Sequence, residues 1–483
     1  MAEPQDSESS PNANLRSLSL ASAIRLAVRE AGGIVIRLVG VVVVTKLIGP
    51  AQYGIYSGCA VFVALLAVMS QQGVEAYLVT RATEPRDDEY HDAITFLLIT
   101  SITSVLVGLA GSFIVEAIMG DRSFLMPFRI LLISVPINIL WAPAQAKIER
   151  AFRFRRMAFL EIAGDLVLYG VAMPLAFLGA GAWSLVAGFI AWQAFLLVGS
   201  YWLAHLTPRL RWTRQGIGSI FTYTASYSAS MGVANALSLV SPIVIGAHLG
   251  AAAVGVVALA QRLVETVSFV VRATWRLSMA AIGRVQNEPE RLRNGVEEGM
   301  ALQALFLGPI YGGLAVVSSY LVLHAWGPKW GAAVDLIPYL TLTALLGTVF
   351  LIPIAMLRAK GKGGAIFLTQ SLQFVLTLGA ASLLVPHLGI TGFGIACLCG
   401  LLGYIPLDIG ARRIVPYTYA AVVPWLAVFA PVLIFQDIPL VYRPFLFIPL
   451  LISFVVPHTR HLLRDYALEV VRALGLWTPE SVS

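Results

Sequence analysis

The chain has 483 residues, of which 58% are hydrophobic and only 12% charged, and its mean hydropathy is +0.81. Soluble globular chains carry about a quarter charged residues, so too little polar surface is present to coat a body of this size in water. That excludes a soluble enzyme, a disordered chain and a secreted disulfide scaffold, and leaves an integral membrane protein with many spans.

The first 30 residues, with Glu3, Asp6 and Glu8 among Ser, Pro and Asn, read as a polar tail rather than a cleavable signal peptide. Fourteen apolar runs of crossing length follow, at about 31–48, 54–79, 93–119, 128–147, 157–178, 182–205, 219–246, 252–271, 298–323, 334–357, 365–385, 390–410, 418–436 and 440–457. They are too long and too uniformly apolar for barrel strands. Backbone polar groups in lipid are then satisfied only by helices. The predicted fold is an all-α polytopic membrane protein.

Lys and Arg set the direction. With the N-terminus in the cytoplasm, 26 of the 33 basic residues fall on the cytoplasmic side and 5 on the other, while Arg37 and Arg262 lie inside spans. The net charge of +7 is thus spent on topology, not on a nucleic-acid face, and both termini are expected inside. Cys59, Cys397 and Cys399 sit in apolar runs, where free Cys behaves as a small hydrophobe. The scattered His residues form no metal pair. Gly49 and Gly54 have the spacing of a phosphate-binding loop, but Ile55 stands where Lys is required. No metal, no cofactor and no ATP hydrolysis are expected.

The chain repeats itself. Gly49-Pro-Ala-Gln-Tyr-Gly54 after the first run matches Gly250-Ala-Ala-Ala-Val-Gly255 after the seventh, at an offset of 201. Met119-Gly120 matches Trp326-Gly327 at 207, and Arg150-Ala151 matches Arg358-Ala359 at 208. Six spans per copy makes the repeats parallel, a plan that places a transporter's site between the halves. The organisation expected is a tail over 1–30, a six-helix lobe over 31–205, a second over 219–410, two extra helices over 418–457, and a cytoplasmic tail over 458–483.

Thr45-Lys-Leu-Ile-Gly-Pro-Ala-Gln-Tyr-Gly-Ile-Tyr56, then Ser70-Gln-Gln-Gly-Val-Glu-Ala-Tyr-Leu-Val-Thr-Arg81, resembles the opening of polysaccharide transporters. These are the oligosaccharide-flippase branch of the multidrug/oligosaccharidyl-lipid/polysaccharide exporter superfamily. The stretch Pro143 to Phe154 is similar to that family's basic loop after the fourth span, and the likeness extends over about 30–457. The second-half element lacks both the Pro and the Tyr of the first. The resemblance implies two lobes in a V around a central cavity. It also implies a polyprenyl-pyrophosphate-linked oligosaccharide as substrate, flipped across the bacterial inner membrane for lipopolysaccharide, capsule or exopolysaccharide assembly. Membrane lipids, a polysaccharide polymerase and export machinery are the implied partners.

A charge at the bilayer centre costs roughly 2.5–3.5 kcal/mol on insertion scales, so each one present faces a cavity or a partner. Arg37 and Arg262, one per lobe, suit the pyrophosphate because a guanidinium is a planar fork of donors that stays charged when desolvated. The competing reading pairs Arg262 with Glu265 along its own helix and Arg37 with Asp165. Glu161 and Asp165, one turn apart, are candidates for proton or cation coupling, or simply interfacial carboxylates. In the seventh span Tyr223, Ser226, Ser230 and Ser238, with Asn235 beside them, make a hydroxyl face suited to sugars or to close helix packing. Trp192, Trp202 and Trp212 read as interfacial anchors. Two other functions compete. A multidrug or cation antiporter would need carboxylates in the first-lobe cavity. A membrane polymerase or glycosyltransferase would need a larger extramembrane loop.

Overall fold

The structure, a computed structural model, describes residues 11–71, 73–81, 84–268 and 288–434. Through most of 11–35 and around 222–234 it describes the backbone alone. The chain divides into two compact units, residues 1–39 with 444–483, and residues 40–443. Among the described residues all regular secondary structure is helical, without a strand.

The elements are α1 (Pro11–Gln71), α2 (Val74–Thr80), α3 (Asp87–Met119), α4 (Leu125–Leu131), α5 (Ser134–Leu140), α6 (Ala142–Arg150), α7 (Phe154–Phe177) and α8 (Ala182–Ala204). They continue as α9 (Arg214–Ala236), α10 (Gly246–Val267), α11 (Pro289–Ala325), α12 (Ala332–Thr348), α13 (Leu351–Ala359), α14 (Gly363–Gly400), α15 (Ile405–Arg412) and α16 (Val423–Ile434). Residues 11–30, expected as tail, are helical. Among the described residues nine helical stretches are long and apolar enough to cross a membrane. Three of these, Ile36–Gln71, Leu237–Val267 and Gly363–Arg412, contain a glycine outside helical geometry, at Gly49, Gly250 and Gly389. Each therefore holds parts of two of the runs read from the sequence. The fourteenth run lies outside the described residues.

The local chemistry explains the breaks. A straight helix of α1's 61 residues would extend about 90 Å, three times the ~30 Å hydrocarbon layer. Gly49 interrupts it at φ 77°, a region glycine enters without steric cost, and Pro50 restarts it where a missing N–H does no harm. The fourth run is split into α4, α5 and α6, which carry Pro127, Pro136 and Pro143. The seventh run changes winding instead. After α9 come a 3-10 turn at Leu237–Leu239 and a π turn at Ser241–Ile245 containing Pro242, the kind of irregularity a proline imposes on a membrane helix.

The breaks recur in order. Gly49 (φ 77°, ψ 171°) is matched by Gly250 (φ 77°, ψ −178°). The 3-10 turn Arg122–Phe124 is matched by Pro328–Trp330. Gly181 (φ 56°, ψ −130°) is matched by Gly389 (φ 61°, ψ −138°). The ends of α6 and α13 share a Schellman cap. Phe152 N–H donates to Glu149 O at 2.9 Å and Arg153 N–H to Ile148 O at 3.1 Å; Gly361 donates to Arg358 O at 3.0 Å and Lys362 to Leu357 O at 2.9 Å. The left-handed position is Gly361 in the second cap (φ 68°) and Phe152 in the first (φ 52°). A Cβ there costs roughly 1–2 kcal/mol.

Candidate functional site between α1 and α10

The two halves of residues 40–443 meet where Gly49 and Gly250 break their helices, here called the glycine end. A Cβ placed on Gly54 would overlap the Ala251 carbonyl oxygen, and one on Gly255 would overlap that of Pro50. The contact is reciprocal, because Pro50 and Gly54 correspond to Ala251 and Gly255 at the offset of 201. Only hydrogen side chains let two backbones come this close. Two side-chain contacts flank the junction. Trp326 Nε1 donates to the buried Thr45 Oγ1 at 2.7 Å, and the Tyr53 and Trp330 ring centroids lie 5.9 Å apart.

Arg262 follows Gly255 by seven residues, two turns and about 10 Å along α10, and so lies on the same face. At the junction that face is sealed against α1. At Arg262 the side chain is 48% exposed, so the packing has opened. The sequence-predicted partner is present, with Arg262 Nη1 3.7 Å from Glu265 Oε2, itself 69% exposed. An ion pair this loose and this open holds the guanidinium weakly. Arg262 lies near enough to Tyr53 and Tyr56 of α1 for its charge to act on both phenols. Tyr56 in turn meets Phe189 edge-on at 6.4 Å, and Phe189 meets Trp192 at 5.5 Å. The two tyrosines were visible in the sequence as part of a motif, without a role. The signal for one was the reciprocal glycine pair, which brings their helix against α10.

The other predicted residues are distributed as follows. Arg37 belongs to the first unit, is half-buried and has an interaction partner. Glu161 and Asp165 share a face of α7, the first exposed and the second 6% exposed, and both are partnered. Asn235 is half-buried near the end of α9, where its carbonyl accepts from Ser238 at 2.6 Å. The side chains of Tyr223, Ser226 and Ser230 lie outside the described residues. Trp202 and Trp212 are exposed, as anchors would be, but Trp192 is not an anchor. Its ring packs against Gly164 of α7, where a Cβ would lie 2.8 Å from it, and its N–H is buried without a hydrogen-bond partner. A depression of about 430 Å³ lined by Phe113, Glu116 and Arg122, and another of about 390 Å³ lined by Leu249, Asp335 and Thr391, contain none of the predicted residues. Among the described residues no three His, Cys, Asp or Glu side chains group as metal ligands do.

At the opposite end, carrying the basic loops, polar groups do the joining. The linker 205–213 and the start of α9 lie along α2 and α3. Thr213 donates through its N–H and hydroxyl to the buried Asp92, Arg211 N–H to Thr95 Oγ1 at 2.9 Å, and Tyr77 and Ser219 share a hydrogen bond of 2.8 Å. Farther along, Tyr417, Tyr419 and Arg412 all donate to Asp408. Burial first, then donation to that carboxylate, push the Tyr417 hydroxyl pKa up.

The fold is a polytopic bundle of kinked membrane helices, matched in two halves that meet across a glycine junction. The backbone is similar to that of the lipid II flippase MurJ in an inward closed conformation, with a TM-score of 0.72 over 92% of this chain and 100% of that one at 12% identity. It is also similar to an inward-facing multidrug resistance transporter of the MATE family, of the MOP superfamily, with a TM-score of 0.62 over 79% and 94% at 16% identity. The chain belongs to the family described as "Polysaccharide biosynthesis protein", whose sequence model matches residues 43–335. Among curated relatives it is 22% identical over 353 residues to the succinoglycan biosynthesis transport protein ExoT of Rhizobium meliloti (strain 1021), covering 72% of this chain and 70% of ExoT. It is 23% identical over 263 residues to the teichuronic acid biosynthesis protein TuaB of Bacillus subtilis (strain 168), covering 52% and 54%.

Proposed function

We propose that the chain is a flippase that carries a polyprenyl-pyrophosphate-linked oligosaccharide across the bacterial inner membrane by alternating access, with Arg262 taking the pyrophosphate. The observation that carries the site is the change along one face of α10, from a sealed contact at Gly255 to a half-exposed Arg262 held loosely by Glu265. A buried, fully engaged arginine would be structural; this one is available to an anion. Tyr53 and Tyr56 of α1 lie within electrostatic range of it, and neither is hydrogen-bonded among the described residues. The two polysaccharide relatives support glycan as the cargo.

In this reading the lobes are 31–205 and 219–410, with an extra helix pair over 418–457 and both tails cytoplasmic, so the basic end faces the cytoplasm. Asn235, with Tyr223 and Ser230, lines the passage, and Arg37 is a second cation for the substrate. Glu161 and Asp165 carry the coupling proton or cation. The chain transports and leaves covalent chemistry to a polymerase and export machinery that act on its product.

The test is Arg262→Ala in cells that make the polysaccharide, with Arg262→Lys beside it. Surface polysaccharide should fall at least tenfold in Arg262→Ala at unchanged protein abundance, and lipid-linked units should accumulate facing the cytoplasm. Arg262→Lys should restore only part of the output, since an ammonium lacks the bidentate fork. Normal output from Arg262→Ala would remove the residue from the mechanism.

A further inference from the structure

The loop between α6 and α7 and the first turn of α7 form one exposed stretch. All six residues from Ala151 to Arg156 are exposed. Phe152 is 82% exposed and Phe154 53%, and their rings meet edge to face with centroids 6.0 Å apart. Between and after them stand Arg153, Arg155 and Arg156, and none of the three is paired among the described residues. Arg150, by contrast, is spent on the carbonyls of Leu78, Val79 and Arg81.

Phe152 occupies the left-handed cap position that the matching loop gives to Gly361, at φ 52°. A bulky side chain at such a position is an outlier, and it persists where something outside the backbone favours it. Packing within the protein does not, because the ring is exposed. Water does not, because Gly would fill the cap without strain. The hydrocarbon interior does not, because three unpaired guanidiniums would be carried in with it. The boundary between headgroups and acyl chains satisfies both demands. Aromatic rings settle at that level, and arginines meet lipid phosphates there.

We infer that residues 152–156 are a docking surface for anionic glycerophospholipid in the adjacent leaflet, with Phe152 inserted as a wedge and Arg153, Arg155 and Arg156 on the phosphates. The partner is the lipid surface itself, not a protein. The second repeat has Lys360 and Lys362 on its loop but Gly361 in place of the ring, so the inserted anchor belongs to the first repeat alone. The inference does not depend on the cargo.

The full-length protein is reconstituted in bilayer discs of phosphatidylcholine, with or without added phosphatidylglycerol, and its thermal midpoint is measured in each. The wild type should gain stability when the anionic lipid is present, and the gain should shrink as salt is raised. Phe152→Gly should match or exceed the wild-type midpoint in phosphatidylcholine alone, and should lose at least half of the gain from phosphatidylglycerol. Replacing Arg153, Arg155 and Arg156 by Gln should also lose at least half, whereas Lys360→Gln with Lys362→Gln should lose less than either. The inference is overturned by a gain that Phe152→Gly and the arginine variant both retain, or by a midpoint in phosphatidylcholine that falls in Phe152→Gly, which would give the ring a structural role. Retention of the lipid gain together with loss of a co-purifying protein would overturn it in favour of a protein surface.

Discussion

The two ends of the helix bundle in residues 40–443 are joined by opposite means. At the glycine end, Gly54 and Gly255 let α1 and α10 touch backbone to backbone, with the Trp326–Thr45 hydrogen bond and the Tyr53–Trp330 ring pair beside the contact. At the basic end, the linker before α9 is tied to α3 through Asp92, Thr95 and Thr213, a set of directional hydrogen bonds around one buried carboxylate. A backbone contact has no slack, because it is made fully or the helices separate. A polar clasp yields bond by bond, since each net hydrogen bond is worth only about 1 kcal/mol. In a protein that must rearrange, the first suits a two-state closure and the second a tether that holds throughout.

The sharpest way to break this contrast is Gly54→Ala or Gly255→Ala. The added methyl meets main chain, which cannot rotate away, so each should cost about 3 kcal/mol, the upper part of the range for overpacking, read as a fall in thermal midpoint. The double variant should cost little more than the worse single one, since one separation of the helices relieves both overlaps. Additive losses would mean that the two glycines do not share a contact. A smaller effect is expected from Asp92→Asn, which keeps the shape but replaces one acceptor with a donor facing Thr213. We expect a loss of about 1–2 kcal/mol and faster proteolysis within 205–213, with transport retained. The smallest should be Glu265→Gln. Both partners of its ion pair are open to solvent, so stability should move by no more than about 0.5 kcal/mol and surface polysaccharide should be maintained. A Glu265→Gln variant as inactive as Arg262→Ala would mean that the pair, rather than the free guanidinium, is the working unit.

Much of this architecture was legible in the sequence because its signals are local. Apolar runs, basic loops and the Gly49–Gly54 and Gly250–Gly255 spacings each lie within one stretch of chain, and the Arg262–Glu265 pair is three residues apart. The contacts that were not legible join distant positions. Thr45 and Trp326 are 281 residues apart, and nothing near either names the other. Trp192 was misread for a related reason. Trp192 stands mid-way along α8, and the facing Gly164 on α7, 28 residues away in sequence, gives its ring a place to pack. The strain at Phe152 was hidden as well, since a Schellman cap is recognised by its glycine and this one has none.

The reciprocal junction also bears on how such a chain changes over time. A contact in which Pro50 meets Gly255 while Ala251 meets Gly54 is an isologous interface, the arrangement two identical subunits would adopt around a two-fold axis. In a homodimer every substitution would appear on both sides at once, and a proline or an exposed ring would have to be tolerated twice. Fused into one polypeptide, the halves keep the shared glycines and are otherwise free to differ. Pro50 where its counterpart is Ala251, and Phe152 where its counterpart is Gly361, are asymmetries that a pair of identical subunits does not permit.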